Sequence, residues 1–333
     1  MRSKTLSSTV RVLRQEHLKQ LITMEEAIEA VESGYRQLYQ GKVVAPLRQH
    51  LPIAEARAVG LIMPVYAPAF QHISVKVANI FPDNPQRFGL PTTNAVLMLF
   101  DATTGRLLSL MDGEFLTALR TGAASGLATR LMAPRETKIG LVFGAGRQAE
   151  MQIKALVASR ELEKIYVISR DATRGKQFVQ RLSNELSIPL EWTSNRKIIR
   201  EADIICAATT SHTPVLEDRE IGQGVHINGV GSFRPEMIEI PPETLSRARV
   251  VVDVREACLA EAGEIVAAIQ QGYLSHESIY EIGEVIEKRL SLRESKNDIT
   301  FFKSVGHAIQ DLAVASAALA RAQDQQIGEL VNL

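Results

Sequence analysis

A glycine-rich turn in the middle of the chain has the residue types and the spacing that phosphate binding requires. Residues 138–156, KIGLVFGAGRQAEMQIKAL, read as a short apolar strand, a tight turn and the start of a helix. Gly144, Gly146 and Ala149 fit the pattern G-x-G-x-x-G/A. There the first glycine permits the turn, the second lets a pyrophosphate approach the backbone, and the small third residue lets helix and strand pack. The helix N-terminus attracts the anion. The candidate contacts at this turn are Gly144, Gly146, Arg147 and Gln148.

The residues after the next predicted strand indicate which dinucleotide is bound. An NAD site usually places Asp or Glu there, where the carboxylate accepts hydrogen bonds from the ribose 2′-hydroxyl. This chain has VISRDATRG, with Ser169, Arg170 and Arg174. Arginine binds a 2′-phosphate through paired hydrogen bonds, so these residues favour NADP(H) over NAD(H). Asp171 is the argument for NAD(H), but it stands where a helix N-cap is expected.

The elements that must position this turn alternate between strand and helix from Lys138 onward. Such alternation is typical of a parallel, doubly wound sheet with helices on both faces. The predicted strands are KIGLVFG, KIYVISR, LEWT, ADIICAATT, GVHINGVG and ARVVVDV. Ligands of these sheets bind at the carboxyl ends of the strands. Thr209, Thr210 and Ser211 stand at such an end and are candidate cofactor contacts, although a hydroxyl-rich loop without a ligand is an alternative.

The first 135 residues have a different pattern. Thr23 and Glu26 form a predicted capping box at the start of a helix that runs to about Gln40. Between Pro46 and Met111, short apolar runs separated by Pro, Asn, Asp and Gly predict a mostly antiparallel sheet, with DATTGR as a hairpin turn. EFLTALRTGAASGLATRLMA predicts a helix whose small residues allow close packing. A last helix, around FKSVGHAIQDLAVASAALARAQ, is expected to return to this N-terminal part.

Cations on separate elements of this N-terminal part are candidates for binding an anion. Arg48 and Arg120 are flanked by apolar residues, although a single arginine is more often a solvated surface charge. Lys76, in ISVKVANI, stands in a strand that is apolar on both sides. Burial of its ammonium without an anionic partner would be costly.

Composition excludes several classes of protein. The chain has 333 residues, of which 45% are hydrophobic and 23% charged, as in a globular protein of one large or two ordinary domains. Lys+Arg and Asp+Glu balance at 38 each, so the charge favours neither nucleic acid nor an anionic membrane. The N-terminus lacks the apolar core of a signal peptide. Cys206 and Cys258 are too few for a disulfide framework and lack metal-ligand spacing. The sequence predicts a cytoplasmic, metal-free protein.

Several motifs in order resemble those of the ornithine cyclodeaminase/mu-crystallin family over residues 20–325. They are APLRQHL, MPVY followed by VKVANIFPDN, LTALRTGAASGLAT, VFGAGRQAEMQ, CAATTSHTPVL, HINGVGSFRPEMIEI and FKSVGHAIQD. The resemblance implies a Rossmann NAD(P)-binding domain at 126–301. It also implies an α+β substrate-binding and dimerisation domain from 1–125 with 302–333. It further implies a homodimer that acts on amino acids or cyclic imino acids.

The resemblance also implies roles for particular residues. Arg48, Lys76 and Arg120 would bind the substrate carboxylate beside the nicotinamide and so serve catalysis. The other implied contacts are Met63 and Phe233 for substrate, and Thr121, Val230, Ser304 and Gly306 for cofactor. His307 is expected to be an ordinary helix residue. No dedicated general acid is evident.

Departures from the family pattern select among its activities. Phe233 stands where cyclodeaminases carry the Asp that handles the substrate's side-chain amine, and Leu61 stands where they carry a Glu. An ornithine ammonium left unpaired in a dry pocket would cost several kcal/mol. GSFRPEMIEI instead resembles the ketimine reductase and mu-crystallin branch. Phe233 would line the pocket, or alternatively be a core residue under its loop.

The leading hypothesis is therefore NADPH-dependent reduction of a cyclic imino acid, Δ1-pyrroline-2-carboxylate or Δ1-piperideine-2-carboxylate, to a proline-like product. The alternatives are an ornithine cyclodeaminase, an alanine-type amino-acid dehydrogenase, and a mu-crystallin-like NADPH-binding protein with little turnover.

Overall fold

The computed structural model describes residues 9–332, so part of the N-terminal segment used to judge a signal peptide lies outside the described residues. The chain forms two compact units. The first comprises Met1–Arg120 and Ala308–Leu333, and the second comprises Thr121–His307. The boundaries proposed from the resemblance lie at 125/126 and 301/302.

The strands and helices are numbered in chain order. The strands are β1 (Thr9–Leu13), β2 (Gln49–Ile53), β3 (Ala58–Ala67), β4 (His72–Ile80), β5 (Thr93–Asp101), β6 (Leu107–Asp112), β7 (Ile139–Phe143), β8 (Lys164–Ile168), β9 (Leu190–Trp192), β10 (Ile204–Ala207), β11 (His226–Gly229), β12 (Ala248–Val252), β13 (Ile279–Glu281), β14 (Ile299–Lys303) and β15 (Glu329–Asn332). The α-helices are α1 (Gln15–Leu21), α2 (Met24–Tyr39), α3 (Asn84–Phe88), α4 (Gly113–Met132), α5 (Arg147–Ser159), α6 (Ala172–Ser183), α7 (Ile198–Glu201), α8 (Arg255–Glu261), α9 (Gly263–Gln270), α10 (Ile282–Lys288) and α11 (Ala308–Asp324). Short 3-10 helices lie at Ala54–Ala56, Pro68–Phe70, Asp218–Glu220, Pro242–Arg247 and His276–Ser278.

The first unit is built on a seven-stranded sheet in the order β15-β1-β6-β5-β4-β3-β2. Strands β2 to β6 pair antiparallel in succession, which confirms the antiparallel prediction for this region. Strand β1, which was not predicted from the sequence, pairs parallel with β6. The predicted hairpin turn joins β5 to β6. There the Asp101 carboxylate accepts hydrogen bonds from the backbone of Thr103 and Thr104, and Gly105 supplies the left-handed conformation (φ +70°).

Helix α11 belongs to this first unit. It packs against α2 and against β3 and β4. A Cβ on Gly34 of α2 would lie 3.3 Å from Ala313 of α11, so the two helices approach closely. The predicted last helix began too early: Phe302 and Lys303 lie in β14, and His307 precedes α11, so its assignment to a helix was wrong. The capping box of Thr23 and Glu26 is confirmed at the start of α2.

The second unit is built on eight parallel strands in the order β13-β12-β14-β11-β10-β7-β8-β9. The order reverses between β7 and β10, as in a doubly wound Rossmann sheet. Its central strands are fully buried and pack against apolar helix faces, with Phe301 and Cys206 in the core. Strands β13 and β14 were not predicted. Cys206 and Cys258 are both buried free thiols.

Candidate functional site: a dinucleotide turn and a buried cation cluster

The glycine turn joins β7 to α5 with the geometry that a pyrophosphate needs. Gly144 has φ +112°, and a Cβ there would lie 2.5 Å from the carbonyl oxygen of Ala208, so this position requires glycine. Gly146 is the N-cap of α5, and within the described residues no heavy atom lies within 4 Å of a Cβ placed on it. The space that a side chain would fill is therefore open to a phosphate. Ala149 is fully buried against the sheet.

Gln148 provides a second indication that this turn receives a ligand. Its Oε1 atom is buried and, among residues 9–332, has no hydrogen-bond partner. A buried carbonyl oxygen without a donor is costly unless a ligand supplies one. A dinucleotide carries hydroxyl and amide donors, so the residues of this turn fit such a group.

The carboxyl end of β8 carries two arginines. The side chains of Arg170 and Arg174 are exposed and make no hydrogen bond or ion pair with the described residues. The hydroxyl of Ser169 is already in use, because it donates to the carbonyl of Asp171 and accepts from the indole of Trp192. Asp171 is confirmed as the N-cap of α6, where its carboxylate accepts from the backbone N–H of Arg174 at 3.0 Å.

The loops after β10 and β11 are joined by Glu239, which the sequence analysis missed. Its fully buried carboxylate accepts hydrogen bonds from the backbone and hydroxyl of Thr209 and from the backbone of Gly231 and Ser232. Burial raises the pKa of Glu239, whereas the charge of Lys303 opposes the rise. Of the predicted contacts here, Ser211 donates to the carbonyl of Thr213, Thr210 is exposed and Val230 is buried.

The segment after β14 is organised by a second buried carboxylate, Asp253. It accepts hydrogen bonds from the hydroxyl of Ser304 and the backbone N–H of Gly306 at 2.8 and 2.7 Å. The carboxyl ends of β7, β8, β10, β11 and β14 thus carry the predicted cofactor residues of this unit, apart from Thr121. Thr121 is buried near the middle of α4.

The first unit contains a buried cluster of two cations around one carboxylate. Lys76 Nζ lies 2.6 Å from Asp311 Oδ2, and Arg120 Nε lies 3.2 Å from Asp311 Oδ1. The side chains of Lys76, Arg120 and Asp311 are 2%, 8% and 1% exposed. Strand β4 and helices α4 and α11 supply these three groups. Met63 lies next to Lys76, as its antiparallel partner on β3.

The charges of this cluster are strongly coupled. The pKa of Lys76 is lowered to about 8, chiefly by burial and also by the charges of Arg120 and Arg48, against the raising effect of Asp311. Burial alone would raise the pKa of Asp311, but the charges and hydrogen bonds of Lys76 and Arg120 outweigh it and hold that pKa below its usual value. Arg48 is half-buried and acts on Lys76 through its charge.

Asp311 is the member of this cluster that sequence reasoning missed. The signal was an aspartate in an otherwise apolar helical run, AIQDLAVASAALA. Lys76 could have been expected to need an anion, but the sequence does not show which of 38 acidic residues supplies it.

Phe233 is not a core residue. It is half-buried in the loop after β11, and the guanidinium of Arg234 lies 5.7 Å from its ring centre. Contact between Phe233 and a substrate stays a prediction. Leu61 is buried on β3.

The parallel sheet and its glycine turn define a Rossmann-type dinucleotide-binding protein. Its family follows from the whole chain: residues 9–326 match the model of the ornithine cyclodeaminase/mu-crystallin family. The chain belongs to this family.

Individual relatives resemble the chain over nearly its whole length. The Delta(1)-pyrroline-2-carboxylate reductase of Bacillus cereus is 36% identical over 94% of this chain and 97% of its own. The structure of the Thermococcus litoralis Delta(1)-pyrroline-2-carboxylate reductase, in complex with NADH and L-proline, has a TM-score of 0.92 and 36% identity and covers 97% of this chain and 100% of its own. An archaeal alanine dehydrogenase dimer with bound NAD has a TM-score of 0.90 and 32% identity, covering 98% and 99%.

The described residues contain no helix with the length and hydrophobicity to cross a membrane. Over the same residues, His, Cys, Asp and Glu side chains do not gather in a group of three or more that could hold a metal ion.

Proposed function

We propose that this protein is an NADPH-dependent reductase of a cyclic imino acid, Δ1-pyrroline-2-carboxylate or Δ1-piperideine-2-carboxylate. The observation that carries the proposal is the match along the whole chain to proteins named for reduction of this class of C=N bond. The product would be proline or its six-membered homologue.

The cation cluster supports a carboxylate-bearing substrate. Lys76 and Arg120 are buried and share one carboxylate, so a second carboxylate, that of the substrate, would bring the cluster closer to neutrality. Arg48 would add a third cation to the anchor. Bound in this way, a small rigid ring has little freedom, and orientation of that kind lowers the barrier to a hydride transfer.

Two apolar residues stand where cyclodeaminases carry carboxylates, and they support a cyclic imine as the substrate rather than a diamine. Leu61 and Phe233 provide no carboxylate for the side-chain ammonium of ornithine. A cyclic imine has no second ammonium and needs only an apolar wall beside its ring methylenes. Phe233 and Met63 are each proposed as a substrate contact.

The bound nicotinamide supplies the hydride. The residues of this chain would hold the pyrophosphate at Gly144 and Gly146, and would hold the adenosine 2′-phosphate at Arg170 and Arg174. The two arginines favour NADPH because neither guanidinium is engaged by the described residues, whereas Asp171 already caps α6. The remaining proposed cofactor contacts are Thr121, Arg147, Gln148, Ser169, Thr209, Thr210, Ser211, Val230, Ser304 and Gly306.

The proposed assembly is a homodimer, which the dimeric alanine dehydrogenase supports. The proposed compartment is the cytoplasm, where free thiols such as Cys206 and Cys258 remain reduced.

A steady-state assay tests the proposed function. Oxidation of NADPH is followed with the two cyclic imino acids, and separately with pyruvate plus ammonia. We expect kcat/KM for a cyclic imino acid to exceed that for pyruvate plus ammonia by more than about 100-fold. Only the cyclic substrate has ring methylenes that pack against an apolar wall. A preference for pyruvate plus ammonia would assign the protein to the amino-acid dehydrogenases instead.

A further inference from the structure

We infer that Asp311 is a positioning residue that orients Lys76 and Arg120 and keeps Lys76 charged, so that their remaining N–H groups bind the carboxylate of the substrate. This inference rests on the proposed function, because it assigns a role within the same substrate site.

The two oxygens of Asp311 are divided between two cations. Oδ2 accepts from Lys76 Nζ and Oδ1 accepts from Arg120 Nε, so the carboxylate fixes the two groups side by side. The next residue on the helix helps to orient the same guanidinium, because Gln310 Oε1 accepts from Arg120 Nη1 at 2.7 Å. Gln310 in turn donates to the hydroxyl of Tyr35, which is buried in α2.

Donors remain on both cations. A lysine ammonium has three N–H groups and an arginine has five. Within residues 9–332, Lys76 Nζ donates to Asp311 and to no other group, and Arg120 Nη2 makes no hydrogen bond. The side chains that carry these donors are nearly fully buried, and an unmade hydrogen bond inside a protein is costly. Two adjacent cations with spare donors match the two oxygens of one carboxylate.

Asp311 also determines the charge of the cluster. The charged groups that face Lys76 are Asp311 from α11, Arg120 from α4 and Arg48 from the segment before β2, and Asp311 is the anion among them. Without it, burial and two like charges would act on Lys76 unopposed, and the pKa of Lys76 would fall below about 8. A neutral amine would bind an anion weakly at neutral pH.

A purely structural ion pair is the competing explanation, and a pH profile separates the two. Asp311→Asn removes the charge but keeps the shape, Asp311→Glu keeps the charge, and Asp83→Asn is a control that removes a carboxylate paired with Arg57 elsewhere in the first unit. Each holoprotein with NADPH is titrated with pyrrole-2-carboxylate, a planar monocarboxylate, from pH 6 to pH 9, and kcat/KM for the cyclic imino acid is measured at pH 7.

We expect Asp311→Asn to weaken the binding of pyrrole-2-carboxylate at least about 30-fold at pH 7. We also expect it to move the loss of binding at high pH at least about one pH unit lower. Asp311→Glu should restore part of the affinity, and Asp83→Asn should match the wild type. An Asp311→Asn protein that only melts earlier, with the wild-type affinity and pH profile, would overturn the inference, and so would a wild type that binds no carboxylate. A wild type that binds pyrrole-2-carboxylate with the expected dependence on Asp311, but reduces no cyclic imine, would overturn the proposed function and leave this inference standing.

Discussion

Lys76 Nζ and Asp311 Oδ2 lie 2.6 Å apart, although 235 residues separate them in the chain. Both side chains are buried, so the contact places a fixed charge pair inside the first unit, between strand β4 and helix α11. The pair is shared with Arg120, and the three groups together form the proposed carboxylate anchor.

The anchor predicts a pH dependence of ligand binding. Lys76 carries its charge below its pKa of about 8 and loses it above, so binding of pyrrole-2-carboxylate to the NADPH complex should weaken as the pH rises through about 8. The change should approach tenfold per pH unit, because one proton is lost. Lys76→Met should bind weakly at every pH and show no such dependence. Constant wild-type affinity up to pH 9.5, measured by calorimetry, would contradict this role of Lys76.

The arginine that follows β8 is expected to determine the preference for NADPH over NADH. Arg170→Ala should weaken NADPH binding by about 1.5 to 3 kcal/mol through loss of a charge-assisted contact, and leave NADH nearly unaffected. Arg135→Ala is the matched control, since Arg135 is also exposed but precedes β7, at the opposite edge of the sheet. Fluorescence titration with both cofactors measures the effect. Equal losses for NADPH and NADH would mean that Arg170 does not contact the 2′-phosphate.

Substitution of the two turn glycines should have different effects: one should reduce cofactor affinity and the other should reduce stability. Gly146→Ala should change the free energy of unfolding by less than about 1 kcal/mol, because its Cβ meets no described atom. It should weaken the binding of NADPH and of NADH at least about tenfold, because the methyl group occupies space that the pyrophosphate needs. Gly144→Ala should destabilise the fold by about 1 to 3 kcal/mol through strain at φ +112°. Unchanged cofactor affinity in a folded Gly146→Ala protein would argue against a dinucleotide at this turn.

Phe233 predicts a change in substrate affinity without a large loss of stability. Because Phe233 is only partly buried, Phe233→Ala should lower the free energy of unfolding by less than about 1.5 kcal/mol. It should raise KM for the cyclic imine by the equivalent of about 1 to 3 kcal/mol, the value of lost apolar contact with a small ring. Tyr273→Ala, which removes another partly exposed aromatic ring of the second unit, is the control. Melting temperature and steady-state kinetics are compared, and a KM equal to that of the wild type would remove Phe233 from the site.

Local patterns in the sequence were enough for much of the fold. The glycine turn, the capping box of Thr23 and Glu26 and the hairpin at Asp101 depend on residues within a few positions of one another, so their chemistry can be recognised without the partner elements. The short strands β1 and β13 lack a long alternating pattern. Phe302 and Lys303, at the end of β14, were assigned to the last helix, because periodicity alone does not separate a buried strand from a helix.

Contacts between distant residues could not be predicted. Lys76 indicated that an anion was needed, but Asp311 lies on the last helix, and only the packing of α11 against β4 identifies it. Glu239 and Asp253 are similar cases, since each accepts hydrogen bonds from loops that the chain brings together after folding. The sequence therefore did not show that the hydroxyls of Ser304 and Thr209 donate to Asp253 and Glu239.

The most direct test of the proposed reaction follows the hydride. The protein is incubated with NADPH deuterated at C4 of the nicotinamide and with Δ1-pyrroline-2-carboxylate or Δ1-piperideine-2-carboxylate, and in parallel with L-ornithine and the oxidised cofactor. We expect proline or its six-membered homologue with deuterium at the α-carbon, and no ammonia from ornithine. Ammonia release from ornithine, or no deuterated product from either cyclic imino acid, would contradict it.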